Sequence, residues 1–151
     1  MGYADCAFYK GTYHGDVLAE SDADKWLDRA SDELDHITYN RLIDGFPSEE
    51  KYAVKVRKAV CAIADALSLI DRHRQAAAAQ QTADGSYHGA IASISSGKES
   101  ISYAALGTNA SVYASAAADD SKQAQLIISI ACKYLANIPD ASGTNLLYAG
   151  W

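Results

Sequence analysis

Seven apolar residues between Tyr52 and Ile70 recur at helical spacing: Tyr52, Val56, Ala59, Val60, Ile63, Leu67 and Ile70. Their steps of one, three or four residues gather them on one side of a helix; a strand, with its period of two, would scatter them over both faces. The chain is therefore expected to fold around one long helix. Gly45, Phe46, Pro47 and Ser48 break the chain just before it. Ser48 is the predicted N-cap, followed by Glu49 and Glu50, whose charges suit a helix N-terminus. The helix should reach at least Arg72. Lys51, Lys55 and Lys58 fall away from the core stripe, and so do Val54, Cys61 and Leu69. A second, thinner apolar strip suits a helix that packs against two things.

The same periodicity places two further helices. The first is predicted from Ser21, a good N-cap, to about Thr38. Trp26, Ala30, Leu34 and Ile37 share its apolar face, and Asp24, Asp28, Asp32 and Asp35 repeat in the same rhythm on the opposite one. The last is predicted to begin near Asp119 to Ser121 and to end near Ile138, before Pro139. Its core face is Ala124, Ile127, Ile128, Ala131, Tyr134, Leu135 and Ile138, and its wet face is Lys122, Gln125, Ser129 and Lys133. Alanines 76 to 79 extend the long helix or fray from it. Between the long and last helices the chain turns rich in Ser, Ala and Gly. Ile91 to Ser95 and Glu99 to Tyr103 flank Ser96, Gly97 and Lys98, the pattern of a β-hairpin. Ile101 and Tyr103 are its candidate contact residues, because an exposed strand edge can accept another strand. Residues Gly107 to Ala117 read as a loop.

These elements define a mainly α fold. Three principal helices form a small bundle, with a hairpin or extended excursion over 84–118 before the last helix. At 151 residues the expectation is a single domain, 1–151. It has an N-terminal arm over 1–15 and an aromatic tail over 139–151. Both flanking segments are greasy for their position, since such segments are usually polar. Tyr3, Phe8, Tyr9 and Tyr13 crowd the arm, and Leu146, Leu147, Tyr148 and Trp151 crowd the tail. They must either fold back on the domain or be covered by a partner.

Composition excludes several classes. The net charge of −6 argues against a protein that coats DNA nonspecifically. No window approaches the ~20 apolar residues of a membrane span, and the first residues do not read as a secretory signal. Cys6, Cys61 and Cys132 are odd in number and far apart. They suit a reducing compartment and small buried or interface side chains rather than a disulfide or metal framework. His14, His36, His73 and His88 are scattered, with no pair spaced to hold zinc on one helix. Asp35 and His36 are neighbours in sequence, but adjacent helical residues point about 100° apart. Nothing near Cys61 reads as an oxyanion site. No catalytic, metal or cofactor residues are assigned, and the chain reads as a non-enzyme.

Three segments in order resemble one family: YADCAFYKGTYHG near the start, RASDELDHITYNR from Arg29 to Arg41, and NLLYAGW from Asn145 to Trp151. With KAVCAIADAL from Lys58 to Leu67 and the Ser-rich ESISYA stretch, they resemble the head–tail connector proteins of tailed bacteriophages, also called head-completion or adaptor proteins. The likeness spans nearly the whole chain. It departs from shorter members in the Ala/Ser/Gly-rich stretch from Ala76 to Ala118. The resemblance implies a small helical protein, without chemistry of its own, that assembles as a ring, usually twelvefold. The ring sits beneath the portal once DNA is packaged, extends the DNA channel and offers a platform to a stopper or tail-completion protein. The implied location is the virion neck, with the host cytoplasm as the place of assembly.

A ring subunit must bury two lateral faces and one axial face, so it should carry more apolar surface than a monomer needs. The Val54, Cys61 and Leu69 strip and the tail are such surplus. Leu146, Leu147, Tyr148 and Trp151 are the candidate anchors for the portal or a neighbouring subunit, the alternative being that the tail packs on its own helices. Asp24, Asp28, Asp32 and Asp35 could meet Lys51, Lys55 and Lys58 across a subunit boundary and set its register. The same basic run could touch genome DNA in the channel. In a second reading the Lys51 to Lys58 face belongs to a small helical DNA-binding or regulatory protein.

Overall fold

A computed structural model describes residues 2–82 and 111–148, and six helices are found among them. They are α1 (Cys6–Gly11), α2 (Glu20–Ile37), α3 (Arg41–Asp44), α4 (Glu50–Thr82), α5 (Val112–Ala118) and α6 (Asp120–Leu135). The mainly helical class is as the periodicity predicts. The expected hairpin, with Ile101 and Tyr103, lies outside the described residues, as does Trp151. The only bridge among the described residues is an antiparallel pair, Pro139 with Asn145.

The chain divides into two compact units, 1–68 with 125–151, and 69–124. The first unit holds the core. Leu27, Ala30 and Leu34 of α2 pack with Val56, Val60 and Ile63 of α4 and with Ile127, Ala131 and Leu135 of α6. Both flanking segments add to it: Ala4, Tyr9 and Leu18 from one end, Ile138 and Leu146 from the other. Trp26 is buried at the margin of this core, with Lys25 and Arg29 lying over its ring at 4.9 and 5.0 Å. In the second unit Arg74 is the organising side chain. It donates to the Ala117 carbonyl, to Asp120 and to Gln123, tying α4 to α5 and the start of α6.

Several boundaries differ from expectation for local reasons. The arm is not extended: Asp5 accepts from the Phe8 amide at 2.8 Å and caps α1. Helix α2 starts at Glu20 with Ala19 at its N-cap, so Ser21 lies inside the first turn, where Glu20 and Asp22 supply the negative charge. Helix α4 begins at Glu50, one residue later than a Ser48 N-cap would place it, and the Glu49 carbonyl takes the first amide bonds, from Tyr52 and Ala53. It continues through the alanines to Thr82, as their high helix propensity favours. Where a loop was expected over 107–117, Ser111 accepts from the Tyr113 and Ala114 amides and starts α5. Helix α6 stops at Leu135, earlier than Ile138, and Asn137 takes a left-handed turn with φ 62° before Pro139.

The core assignments also shift. Tyr52 and Leu67 are only half-buried, and Ala124 and Ile128 on α6 are exposed. Cys61 is fully buried inside the first unit. It is therefore not surplus surface, and of the strip read as an interface only Val54 and Leu69 stay half-exposed.

Candidate interaction surfaces

The arm is held by tyrosine hydroxyls that meet helical carboxylates. Tyr9 is fully buried, and its hydroxyl is saturated. It donates to Asp65 at 2.6 Å and accepts from the Val17 and Leu18 amides, both at 3.1 Å. Tyr13 donates to the other Asp65 oxygen at 3.2 Å. One turn of the arm further out, Tyr3 donates to Asp35, and its own amide donates to Ser31 at 3.0 Å. The Cys6 amide donates to Asp24 at 3.1 Å. Asp24 and Asp35, on the acidic face of α2, thus serve their own chain, and Asp32 is exposed.

These contacts set the local electrostatics. Burial pushes the Tyr9 hydroxyl up to about 12, helped by its bond to Asp65. Tyr3 and Tyr13 are raised by burial first and then by the Asp35 and Asp65 carboxylates. Burial also raises Asp35 and Asp65, against the lowering effect of the hydroxyls they accept from. The Cys61 thiol is pushed up to about 12 by burial and by the nearby Asp65. A thiol held that high stays protonated at neutral pH and is not a nucleophile. Asp65 carries no apolar period and was missed in the sequence; its signal was a lone carboxylate on the buried side of α4.

The tail is fixed differently. Asp140 accepts from the Ser142 hydroxyl and amide and from the Thr144 amide, which close a tight turn. The Ser142 hydroxyl first, then the two amides and Arg41, hold the Asp140 carboxyl below the usual carboxylate range. Leu146 returns its amide to the Ile138 carbonyl at 2.9 Å and is fully buried. It is spent on its own core and is not open to a partner. Arg41 clasps the Tyr148 carbonyl at 3.1 and 3.2 Å, and its guanidinium lies 5.7 Å from the Tyr148 ring. Leu147 is half-buried, and Tyr148 is 52% exposed.

Two grooves open on the first unit. One, of about 560 Å³, is lined by His36, Ile37, Tyr39, Asn40, Ile128, Cys132 and Leu147. Tyr39 and Asn40 both hold left-handed backbone, with φ 55° and 62°, and Tyr39 is 54% exposed. The other, of about 660 Å³, is lined by Tyr3, Asp32, Asp35, Leu42, Ile43, Phe46 and Arg57, with Gly2 at its edge. Here the Tyr3 ring stacks on Phe46 at 5.3 Å, and Ile43 is 65% exposed. Tyr39 and Ile43 belong to a stretch too short for periodicity to sort, so sequence gave no warning of their exposure.

The basic run is partly committed. Lys51 pairs with Glu49 at 2.8 Å. Lys55 is exposed and Lys58 half-buried, and neither forms an ion pair among the described residues. Arg57 instead lies 5.9 Å from the Phe8 ring. Among the described residues no group of three or more His, Cys, Asp or Glu side chains gathers as a metal site. No helix among them is long and apolar enough to cross a membrane. Comparison with known proteins gives no matching family model, no matching curated protein and no matching solved structure.

Proposed function

We propose that this chain is a head–tail connector of a tailed bacteriophage, a structural subunit of the virion neck that forms a ring. The ring joins the portal on one side to a stopper or tail-completion protein on the other. The observation that carries the reading is apolar surface left over after the core is complete. Tyr39, Ile43, Ile128 and Tyr148 all stand about half exposed or more on one unit whose core is already filled from both ends. Scattered apolar residues are normal on a monomer, but here they gather around two grooves and a clasped tail. The ordered set of connector-like segments supports the same reading. Tyr148, held by Arg41 after a hydrogen-bonded turn, is the anchor for portal or neighbour, with half-buried Leu147 beside it. Aromatic side chains held this way are the usual hot spots of an interface.

The test is a phage genome from which this gene is removed. Filled heads should accumulate without tails, the wild-type chain should restore infectious particles, and purified virions should contain it. Complete particles formed without the chain would overturn the reading. The exposed Lys55 favours a second reading, a DNA-binding regulator, whose signature is a sequence-specific shift of an operator fragment by the purified protein.

A further inference from the structure

We propose that the groove walled by Tyr3, Asp32, Asp35, Ile43 and Phe46 is the acceptor for Lys55 and Lys58 of a second copy of this chain. The inference rests on the ring reading for its premise that copies meet, and it assigns the two faces that do so.

The groove offers what a lysine side chain needs. Its wall is the Tyr3–Phe46 stack with exposed Ile43, suited to an aliphatic stem. Asp32 and Asp35 stand at its α2 side, and Arg57 at its α4 side. Asp35 is half-buried and held above its ordinary range, chiefly by burial and then by Asp32 beside it, so the pair gains from a further cation.

The donor face fits by spacing and by placement. Lys55 and Lys58 are three residues apart on α4, as Asp32 and Asp35 are on α2. Residues at that spacing are neighbours about 5–6 Å apart on a helix surface, so two ion pairs can form in one register. Arg57 faces the groove, and Lys55, two residues away, points about 200° round the same helix. Lys58 points about 100° from Arg57, and neither lysine lines the groove of its own chain. The acceptor of one copy must be filled by the donor of another, which makes the contact head-to-tail and propagating. The arm completes the acceptor, because Tyr3 supplies the stacked wall and its hydroxyl holds Asp35. Docking of the arm thus precedes assembly.

Sedimentation velocity of the full chain across a concentration series tests this. The wild type should associate as concentration rises, and less so in high salt. Asp32→Lys should break the acceptor alone, and Lys55→Ala with Lys58→Ala the donor alone, each weakening association about tenfold or more. Each variant should keep the wild-type melting curve. An equimolar mixture of the two retains one intact acceptor and one intact donor, so it should form a heterodimer and nothing larger. Tyr3→Ala should also lose association. A wild type that stays monomeric throughout, variants that associate like wild type, or a mixture that stays monomeric would each overturn the proposal. If these results hold while virions lack the chain, the neck reading fails and this contact stands.

Discussion

The arm and the tail look alike as text, both short, aromatic and punctuated by glycine, yet they end in opposite states. The arm spends Tyr9 entirely inside the first unit and half-buries Tyr3 and Tyr13, while the tail buries Leu146 and leaves Tyr148 about half in water. Hydrophobicity does not separate them. What separates them is whether a helix offers a carboxylate where the hydroxyl arrives. Asp35 and Asp65 receive the arm tyrosines. The tail is gripped through a backbone carbonyl by Arg41, which leaves its ring outside. A tyrosine can be buried only when its hydroxyl has a partner, since an unsatisfied buried group costs about 1–3 kcal/mol.

The sharpest way to break this contrast is to remove the buried group from each segment. Tyr9→Ala should cost about 3–5 kcal/mol in urea unfolding, and Leu146→Ala about 2–5 kcal/mol. Tyr9→Phe should cost less, about 1–3 kcal/mol, because it keeps the ring but leaves the Val17 and Leu18 amides without their acceptor. A Tyr9→Ala variant as stable as wild type would mean that the arm is not seated on the core. The Leu146 result also decides how to probe the tail. Deleting 145–151 would remove Leu146 from the core as well as the Tyr148 ring, so point changes at Tyr148 are the cleaner probe.

Gly15→Ala ranks next. A methyl group there would overlap the Tyr9 ring, which cannot swing aside because its hydroxyl makes three bonds. Overpacking of this kind costs about 1–3 kcal/mol, readable as a lower melting temperature. The same substitution at Gly11, which faces open space, serves as the control.

How far the sequence reached follows from the same physics. Long helices were legible because burial imposes a period: the α2 face, most of the α4 stripe, and the wet face of α6 lie where spacing put them. The short elements were not. Helices α1, α3 and α5 span six, four and seven residues. That is too short to show a period, and α1 and α5 rest on single capping contacts from Asp5 and Ser111. The surfaces were half legible. The acidic and basic faces were visible as charge patterns, but the groove between Tyr3 and Phe46 joins residues 43 apart, which no local pattern reports. Cys61 and Leu146 were misread as surface because each is apolar at a place where the sequence could not show the segment that covers it.

Alkaline titration sharpens the contrast without any mutation. Tyr3, Tyr9 and Tyr13 are all raised, by burial first and by their carboxylate partners next, and Tyr9 reaches about 12. A group whose folded pKa lies above its unfolded value, ~10 for tyrosine, stabilises the fold fully below that unfolded value. The contribution is lost as pH climbs toward the folded pKa. Stability should therefore fall from about pH 10 toward about pH 12. Tyrosinate absorbance of the arm should rise together with loss of the helical signal. Ionisation of those three tyrosines near pH 10 with the helices intact would show an arm free of the core.

The smallest effect on stability should come from Tyr148→Ala, and it is the most informative for function. The Arg41 bonds reach the Tyr148 carbonyl, which alanine keeps, so the tail should stay in place. The ring's contact with the guanidinium is lost, worth about 0.5–1 kcal/mol at an exposed site. A melting curve close to wild type, with failure to join filled heads to tails, would assign the ring to a partner. A larger loss of stability would instead mean that the ring is part of the fold, and the tail would then resemble the arm after all. With Leu146 fully buried and Tyr148 about half exposed, the tail passes from core to surface within two residues.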